Sequence, residues 1–141
     1  MIGQFPMTLF AGGVRSASHT YSLEDLSQDV WLDTEINDKH PIYIRNLFES
    51  NGLRRPINLV RSSDNFFNID LTMRLPAINC NVSASSDYFS PYINTGKITL
   101  LKHDFTLPDL KLMLMHRSEE YLSPSAIEFI RKLRHAITLA V

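Results

Sequence analysis

The sequence LPDLKLMLMHRSEEYLSPSAIEFIRKL, residues 107–133, joins two structural patterns within one stretch. Its first part, Leu110–Met115, is a short and mostly apolar run without glycine or proline, which is typical of a buried strand in the middle of a sheet. Its second part predicts a helix, because Ser123 can cap the first turn and Pro124 occupies the first helical position, where a missing N–H costs nothing. The stretch therefore predicts a strand, a polar turn and a closing helix.

The predicted closing helix has one apolar face and a polar remainder. Its core-facing residues recur at spacings of three and four: Ile127, Ile130, Leu133 and Ile137. Glu128 lies early in the helix, near the positive end of the helix dipole, and the basic cluster Arg131 to His135 lies nearer the other end, where positive charge is favoured. We interpret this basic cluster as a solvated face and not as a nucleic-acid surface, because aromatic and basic residues do not interleave there.

Composition places the chain among ordinary soluble domains. The 141 residues are 44% hydrophobic and 21% charged, which suits one domain. The net charge of −1 gives no overall attraction to nucleic acid or to an anionic membrane. The single cysteine, Cys80, excludes an internal disulfide framework, and no apolar run has the length of a membrane span or the pattern of a signal peptide. We therefore expect a cytoplasmic protein with no membrane contact.

Short strand and helix patterns alternate along the rest of the chain. Phe5–Ala11 predicts a strand with Pro6 at its start or at a sheet edge, and Gly12-Gly13 predicts a turn. Further strands are predicted at Val30–Asp33, Ile57–Val60, Ile78–Val82 and Ile98–Leu101, and helical segments within Asn37–Asn51, Ser62–Leu75 and Ser86–Tyr92. Strands that alternate with helices across short loops predict βαβ units and a parallel-leaning sheet.

Local signals mark the ends and faces of these helices. In the first, Asp38 can cap, Pro41 belongs in the first turn, and Asn51-Gly52 supplies a left-handed stop. The stripe expected to face the core is Ile44, Leu47 and Phe48. In the second, Ser62 or Ser63 is placed to cap. The apolar face expected there is Phe66, Ile69 and Met73, with Phe67, Leu71 and Leu75 beside it.

These motifs together resemble the effector-binding domain of LysR-type transcriptional regulators. In that family an LP-x-L turn enters an apolar strand and LSP-x-x-x-x-F-I opens the closing helix, as Leu107–Leu110 and Leu122–Ile130 do here. Ser22–Leu26, a turn capped by its own serine, is similar to the family's S-L-x-D-L turn, and Gly96–Leu101 is similar to its later strand. The glycine-rich run usual in the family has no counterpart in Leu75–Asn79.

The resemblance implies an α/β, periplasmic-binding-protein-like (type 2) fold, with a mixed, mostly parallel sheet flanked by helices and an incomplete second subdomain. It implies that residues 1–104 form effector subdomain II, with a hinge strand near 5–13, and that residues 105–141 return to subdomain I. The helix-turn-helix and the first half of subdomain I have no counterpart in the sequence. We therefore expect an excised or truncated piece of a regulator, or a shortened relative, in which DNA is bound only through an N-terminal domain not present in this chain.

Candidate ligand-binding residues lie where a predicted strand meets a helix. At Ser62-Ser63-Asp64-Asn65 the free N–H groups and the dipole of the helix favour an anionic or carbonyl-bearing ligand. In the family this junction faces the cleft between subdomains, and Thr34-Glu35 occupies a similar rim position. Helix capping alone also explains Ser62 and Asp64. We therefore assign capping to Ser62 or Asp64, and ligand contact to Ser63 and Asn65.

Catalytic and metal-binding interpretations have less support. Cys80 lies in the middle of a predicted strand, where cysteine is most often a small buried hydrophobe. The five histidines are scattered, and none forms the i, i+4 pair of a helical metal site. We therefore expect a protein that is not an enzyme and that holds no cofactor and no metal.

Two classes of function remain open. The leading one is the small-molecule effector-sensing portion of a LysR-type regulator, which works as a homo-oligomer and performs no chemistry. The alternative is a free-standing α/β small-ligand-binding protein, or a small α/β enzyme, built on a similar sheet. Extending the reading frame upstream of Met1 separates them, because a helix-turn-helix there indicates a regulator and a signal peptide indicates a periplasmic binder.

Two expectations concern the surface. The helix Pro41–Ser50 or the helix Ser62–Leu75 is expected to carry part of a homodimer contact, since effector domains of the family pair side by side. Apolar residues of the closing strand and helix are expected to be partly exposed in an isolated monomer: Leu112, Leu114, Ile127, Ile130 and Leu133.

Overall fold

A computed structural model describes residues 1–13, 15–33, 43–83 and 86–140, with the backbone alone described for Asn65, Ser86 and Ala140. Its strands are β1 (Gly3–Phe5), β2 (Met7–Gly12), β3 (Thr20–Tyr21), β4 (Trp31–Asp33), β5 (Leu59–Arg61), β6 (Ile78–Val82), β7 (Ile98–Leu100), β8 (Lys102–His103) and β9 (Leu110–Leu112). Its helices are α1 (Tyr43–Ser50), α2 (Asn65–Arg74), α3 (Ser86–Asn94) and α4 (Pro124–Ala140). The chain forms two compact units: unit 1 is Met1–Pro6 with Asp109–Val141, and unit 2 is Met7–Pro108.

Unit 2 is built on a five-stranded sheet with the order β5-β4-β6-β2-β7. β4 pairs in parallel with both β5 and β6, whereas β2 pairs antiparallel with both β6 and β7. The sheet is therefore mixed, and its parallel part is the block β5-β4-β6. This order and the intervening helices confirm the α/β fold class that the alternating pattern predicted.

The core of unit 2 lies around Trp31, which is fully buried. Its Nε1–H donates to the Leu26 carbonyl at 2.8 Å, so the indole is buried without an unpaired donor. The Phe48 ring packs edge-on against it, with 5.2 Å between the ring centroids. Ile44 and Leu47 are buried with Phe48, which confirms the predicted stripe of α1. The predicted cap and first-turn residues of this helix, Asp38 and Pro41, lie outside the described residues.

Two local turn predictions are confirmed. The Ser22 N–H donates to the Asp25 carboxylate at 2.9 Å, and the Asp25 N–H donates to Ser22 Oγ at 3.0 Å, so the two residues cap each other. After α1, the Gly52 N–H donates to the Glu49 carbonyl, and Gly52 has a φ of +72°. That left-handed backbone is the predicted stop signal.

The predicted strand Phe5–Ala11 is two strands, because the chain changes partners at Pro6. β1 ends at Phe5 and pairs with β9 in unit 1, and β2 begins at Met7 and pairs with β6 and β7 in unit 2. Pro6 has no N–H to give to either ladder, so the interruption costs no hydrogen bond at that residue.

Two other predicted elements differ in extent. β5 begins at Leu59 and not at Ile57, whose side chain is 84% exposed. The helical turn predicted at Ser86–Tyr92 is a full helix to Asn94, although Pro91 lies inside it. Before β7 the chain turns at Gly96, which has a φ of +73°.

The predicted apolar face of α2 is confirmed at Ile69 and Met73, which pack against the core cluster of Phe10, Phe89 and Ile98, but it is wrong for the phenylalanines. Phe66 is 79% exposed and Phe67 is 52% exposed, whereas Asn68 and Thr72 are buried. The helix lies so close to β2 that a Cβ at Gly12 would stand 1.7 Å from the Thr72 carbonyl oxygen. Small hydrogen-bonded side chains fit into that gap and phenyl rings do not, because packed interiors leave no room for a larger volume.

Unit 1 consists of β1 paired antiparallel with β9, and of α4. Ser123 Oγ accepts the Ala126 N–H at 3.2 Å, and Pro124 is the first helical residue, so the predicted start of the closing helix is confirmed. The helix packs closely on β1, since a Cβ at Gly3 would lie 2.7 Å from Ile137 Cγ2.

The prediction that Leu110–Met115 forms a buried central strand is wrong for unit 1. β9 has only three residues, Leu110 and Leu112 are 41% and 40% exposed, and Met115 is 92% exposed. The reason is that β9 pairs with β1 alone in a two-stranded sheet, so no second strand covers its other edge. The expected partial exposure of the closing elements is confirmed, and Ile127 is 44% exposed.

Candidate functional site

The parallel block of unit 2 brings three strand ends to one edge of the sheet. β4 ends at Asp33, β5 at Arg61 and β6 at Val82, and the first residue of the antiparallel β2, Met7, is paired with Val82 at the same edge. The described residues 62–64 lead from this edge to the amino end of α2. Ligands of open α/β sheets bind outside the carboxyl ends of the strands, so this edge is the candidate site.

A buried carboxylate forms the floor of the site. The Asp33 side chain is 2% exposed, and its Oδ2 lies 3.4 Å from Nε of Arg61, whose side chain is 41% exposed. The two residues are register partners across β4 and β5. A charge taken out of water needs a charged or hydrogen-bonding partner, and Arg61 supplies one. Asp33 therefore holds a guanidinium at the rim, where a ligand can reach it.

Sequence reasoning did not select Asp33 or Arg61. A usable signal was present, because each is a charged residue that directly follows two apolar residues at the end of a parallel strand. The pairing of β4 with β5, which places these two side chains next to each other, could not be predicted from the sequence.

The four predicted residues at the start of α2 have different roles. Asp64 caps the helix, because its Oδ1 accepts the N–H groups of Phe66 and Phe67 at 2.9 and 3.1 Å. The assignment of capping to Ser62 or Asp64 is therefore confirmed at Asp64, whereas the prediction that Ser62 or Ser63 caps is wrong. Ser62 Oγ instead accepts the Asp64 N–H at 3.4 Å.

Ser62 is half-buried, and its N–H donates to the Asp33 carbonyl at 3.0 Å. This hydrogen bond fixes the backbone at Ser62, on the rim of the candidate site, to β4. Ser63 is exposed, and within the described part of the chain its hydroxyl has no hydrogen-bond partner. Asn65 opens α2 by its backbone. Thr34 and Glu35 lie outside the described residues.

A pair of hydroxyl groups also lies at this edge. Thr8 Oγ1 and Ser83 Oγ are 2.6 Å apart, joining the start of β2 to the end of β6. Neither residue was predicted from the sequence, because they are 75 positions apart and only the β2–β6 pairing brings them together.

Comparison with solved structures identifies the architecture. HinK, a LysR family transcriptional regulator from Pseudomonas aeruginosa, superposes with a TM-score of 0.66 at 16% identity, covering 96% of this chain and 46% of HinK. The regulatory domain of MetR, a LysR family regulator from N. meningitidis, gives a TM-score of 0.63 at 12% identity, covering 97% of this chain and 62% of that one.

This chain has the fold of a LysR-type effector domain. The effector domain of AmpR from Pseudomonas aeruginosa is a further example, with a TM-score of 0.58 at 15% identity over 99% of this chain and 63% of that one. The chain thus spans about half to three-fifths of the length of these structures. No family model matches the sequence, and no curated protein matches it significantly.

Cys80, whose pKa is raised by burial, lies within β6 and not at the candidate site. Burial raises the pKa of the Cys80 thiol from 9.0 to about 12, so the thiolate needed for nucleophilic attack is scarce at neutral pH.

Over residues 1–13, 15–33, 43–83 and 86–140, no group of three histidine, cysteine or acidic side chains is arranged to hold a metal ion. In the same ranges no helix has the length and apolar character to cross a membrane.

The polar groups of the edge can bind a ligand through hydrogen bonds and one positive charge. Arg61, Ser63 and the hydroxyl pair Thr8–Ser83 supply donors and acceptors at one rim. Such a set recognises polar or anionic groups.

Proposed function

We propose that this chain is the small-molecule effector-sensing portion of a LysR-type transcriptional regulator and that it performs no chemistry. The observation that carries the proposal is the polar carboxyl edge of the sheet, in a fold shared with LysR regulatory domains over nearly the whole chain. In this proposal unit 2 is effector subdomain II and unit 1 is a part of subdomain I. DNA contact belongs to an N-terminal domain outside this sequence, and the protein acts in the cytoplasm.

The ligand that fits the rim best is a small polar or anionic metabolite. The amino end of α2 attracts anions, but Asp64 already occupies the N–H groups of Phe66 and Phe67 with its own carboxylate. Recognition of an anion therefore falls to Arg61 and to uncharged groups at Ser63 and Asn65. Loss of one uncharged hydrogen bond costs about 0.5–1.5 kcal/mol, or roughly two- to tenfold in affinity.

Effector binding acts here by shifting a population. A ligand that binds one arrangement of the oligomer more tightly than another shifts the equilibrium towards it, by no more than the difference in its two binding free energies. Chemical change of the ligand is not part of this mechanism.

Titration of the chain with small carboxylates, amino acids and neutral sugars, followed by NMR, tests the proposal. We expect millimolar carboxylates or amino acids to shift the amide signals of Arg61, Ser62, Ser63 and Ser83, and Ser63→Ala to weaken that response. Ser125→Ala, an exposed serine in α4 of unit 1, is the matched control. Shifts confined to other surfaces would refute the site, and appearance of product signals would favour the small α/β enzyme.

We propose further that the regulator is a homo-oligomer and that α1 or α2 contributes to its interface. The exposed Phe66 and Phe67 rings support α2, because large apolar side chains in contact with water favour association. A specific interface buries about 1,000 Å² or more. Phe66→Glu with Phe67→Glu is expected to lower the molar mass measured by light scattering, and the same measurement on Arg45→Glu tests α1. Unchanged mass in both would remove the idea.

A further inference from the structure

A buried polar seam runs beneath α2, defined by Asn68, Thr72 and Asn79. These side chains are 1%, 0% and 1% exposed. The Asn79 amide on β6 donates to Thr72 Oγ1 at 3.2 Å, and Thr72 Oγ1 donates to the Asn68 carbonyl at 2.6 Å. The Asn68 amide then donates to the Ser62 carbonyl at 3.1 Å. The seam therefore links the middle of the sheet to the rim of the candidate site.

The polar seam stabilises the fold less than apolar side chains of the same shape would. Within the described part of the chain, Oδ1 of Asn68 and Oδ1 of Asn79 have no hydrogen-bond partner, although both are buried. A buried acceptor without a partner costs free energy, whereas apolar groups of the same shape would not. Phe66 and Phe67 of the same helix remain in water. Ile69 and Met73 supply the apolar packing of this helix, so the inward-facing Asn68 and Thr72 point to a role besides stability.

Ser62 is held through both of its backbone groups, which belong to two consecutive peptides. Its N–H donates to the Asp33 carbonyl at 3.0 Å, and its carbonyl accepts from the Asn68 amide. Ser63 follows directly, exposed, so its direction depends on how the Ser62 peptide is held. Both hydrogen-bond partners of Ser62 are buried residues, and Asn68, which comes from α2, holds the Ser62–Ser63 peptide.

The other end of the seam is fixed to the sheet. The Thr72 carbonyl accepts the Ala77 N–H at 3.1 Å, and the Ala77 carbonyl in turn accepts the Gly12 N–H at 3.1 Å. The close approach at Gly12 leaves no space for α2 to slide at this point. Asn68 therefore belongs to a helix whose position against the sheet is fixed, and its amide holds Ser62 from there.

We infer that Asn68 is a positioning residue for the candidate site: it holds the Ser62–Ser63 peptide at the rim without touching the ligand. The inference rests on the proposed ligand contact at Ser63. Its direct consequence does not need a ligand, because removal of the Asn68 amide should loosen the rim peptide in the unbound chain.

Amide hydrogen exchange on the 141-residue chain, measured by NMR, tests the inference. Asn68→Leu removes the donor to Ser62 and also one unpaired oxygen, so the chain should remain folded. We expect exchange of the Ser62 and Asp64 amides to rise roughly two- to tenfold, the range that corresponds to one lost hydrogen bond. Exchange at Leu32 in β4 should follow global stability only. Asn68→Ser, which is too short to reach Ser62, should behave alike and replaces Asn68→Leu if that variant does not fold.

Thr72→Val is the matched control, because it breaks the seam at Thr72 but leaves the bond from Asn68 to Ser62 in place. After correction for global stability, Ser62 exchange in this variant should equal that of the parent chain. Unchanged Ser62 exchange in Asn68→Leu, or an equal rise in both variants, would overturn the inference.

The NMR titration separates the two proposals. If a carboxylate probe shifts Ser63 in the parent chain, Asn68→Leu should weaken its binding roughly two- to tenfold, like Ser63→Ala. Unchanged probe affinity in Asn68→Leu overturns the positioning role and leaves the site intact. If no probe shifts Ser63 in any variant, the proposed ligand site fails, and the exchange result alone decides whether Asn68 holds the rim.

Discussion

Gly12→Ala is expected to be among the most destabilising single substitutions in unit 2. A Cβ built at Gly12 lies 1.7 Å from the carbonyl oxygen of Thr72, 2.7 Å from its carbonyl carbon and 3.1 Å from Cα of Met73. All three atoms belong to the backbone of α2, so no change of side-chain rotamer can relieve the contact. The end of the helix has to move away from the sheet.

The magnitude follows from what that movement breaks. Overpacking a well-packed core costs about 1–3 kcal/mol even when side chains can adjust. Here the shift also strains the 3.1 Å bonds from the Ala77 N–H to Thr72 and from the Gly12 N–H to Ala77. Each hydrogen bond contributes about 0.5–1.5 kcal/mol, so we expect a total loss of about 2–6 kcal/mol. That is a large share of the roughly 5–15 kcal/mol that stabilises an ordinary domain.

Gly52→Ala is the matched control, because it changes the backbone without a clash. Gly52 has a φ of +72°, and a Cβ there would meet nothing within 4 Å. An alanine in this left-handed region costs about 1–2 kcal/mol. Urea unfolding followed by the fluorescence of Trp31, the only tryptophan and fully buried in unit 2, compares the two variants. A Gly12→Ala variant less destabilised than Gly52→Ala would refute the close approach of α2 to β2.

Three further predictions concern the cap, the thiol and the exposed apolar surface. Asp64→Ala should lower the free energy of unfolding by about 0.5–2 kcal/mol in urea titrations, whereas Asp64→Asn, which can still accept from the helix N–H groups, should lose much less; equal losses would argue against capping. Because burial raises the pKa of Cys80 from 9.0 to about 12, the unfolded thiol ionises first, and stability should fall as pH rises from about 9 to about 12. This pH-dependent loss should be smaller in Cys80→Val, and the native thiol should resist a disulfide reagent at neutral pH until the chain is unfolded. Self-association measured by light scattering should decrease when Leu112 and Ile127, 40% and 44% exposed, are both replaced by glutamate, and a chain that is monomeric at all concentrations before substitution would contradict this.

Features made by neighbours a few residues apart were predictable from the sequence. The mutual cap of Ser22 and Asp25, the left-handed stop at Gly52 and the start of α4 at Ser123 each need only a short segment of chain. α1 was predictable for a similar reason, because its apolar residues form one stripe and the rest of the helix is polar. The alternation of such elements, with the motifs of the last strand and helix, was enough to predict the LysR-type fold.

Which face of α2 is buried was decided by tertiary structure. Apolar residues occur around most of this helix, so periodicity did not select one side, and the phenylalanines appeared the better core residues. The sheet selected a mixed side, in which Ile69 and Met73 pack on the core and Asn68 and Thr72 fit the gap at Gly12 and the amide of Asn79. The energy of a helix face depends on the surface it meets, and that surface comes from strands distant in sequence.

The candidate site divides in the same way. The strand-to-helix junction at Ser62–Asn65 was visible in the sequence, because a strand end and a cap leave a local pattern. Asp33 beside Arg61, and Thr8 beside Ser83, became neighbours only through strand pairing. In β9 a sequence apolar enough for a buried strand is not buried. Leu112 is 40% exposed, because only β1 pairs with this strand. Apolar character is a property of the residues themselves, whereas burial and contact require a partner that the fold must bring to them.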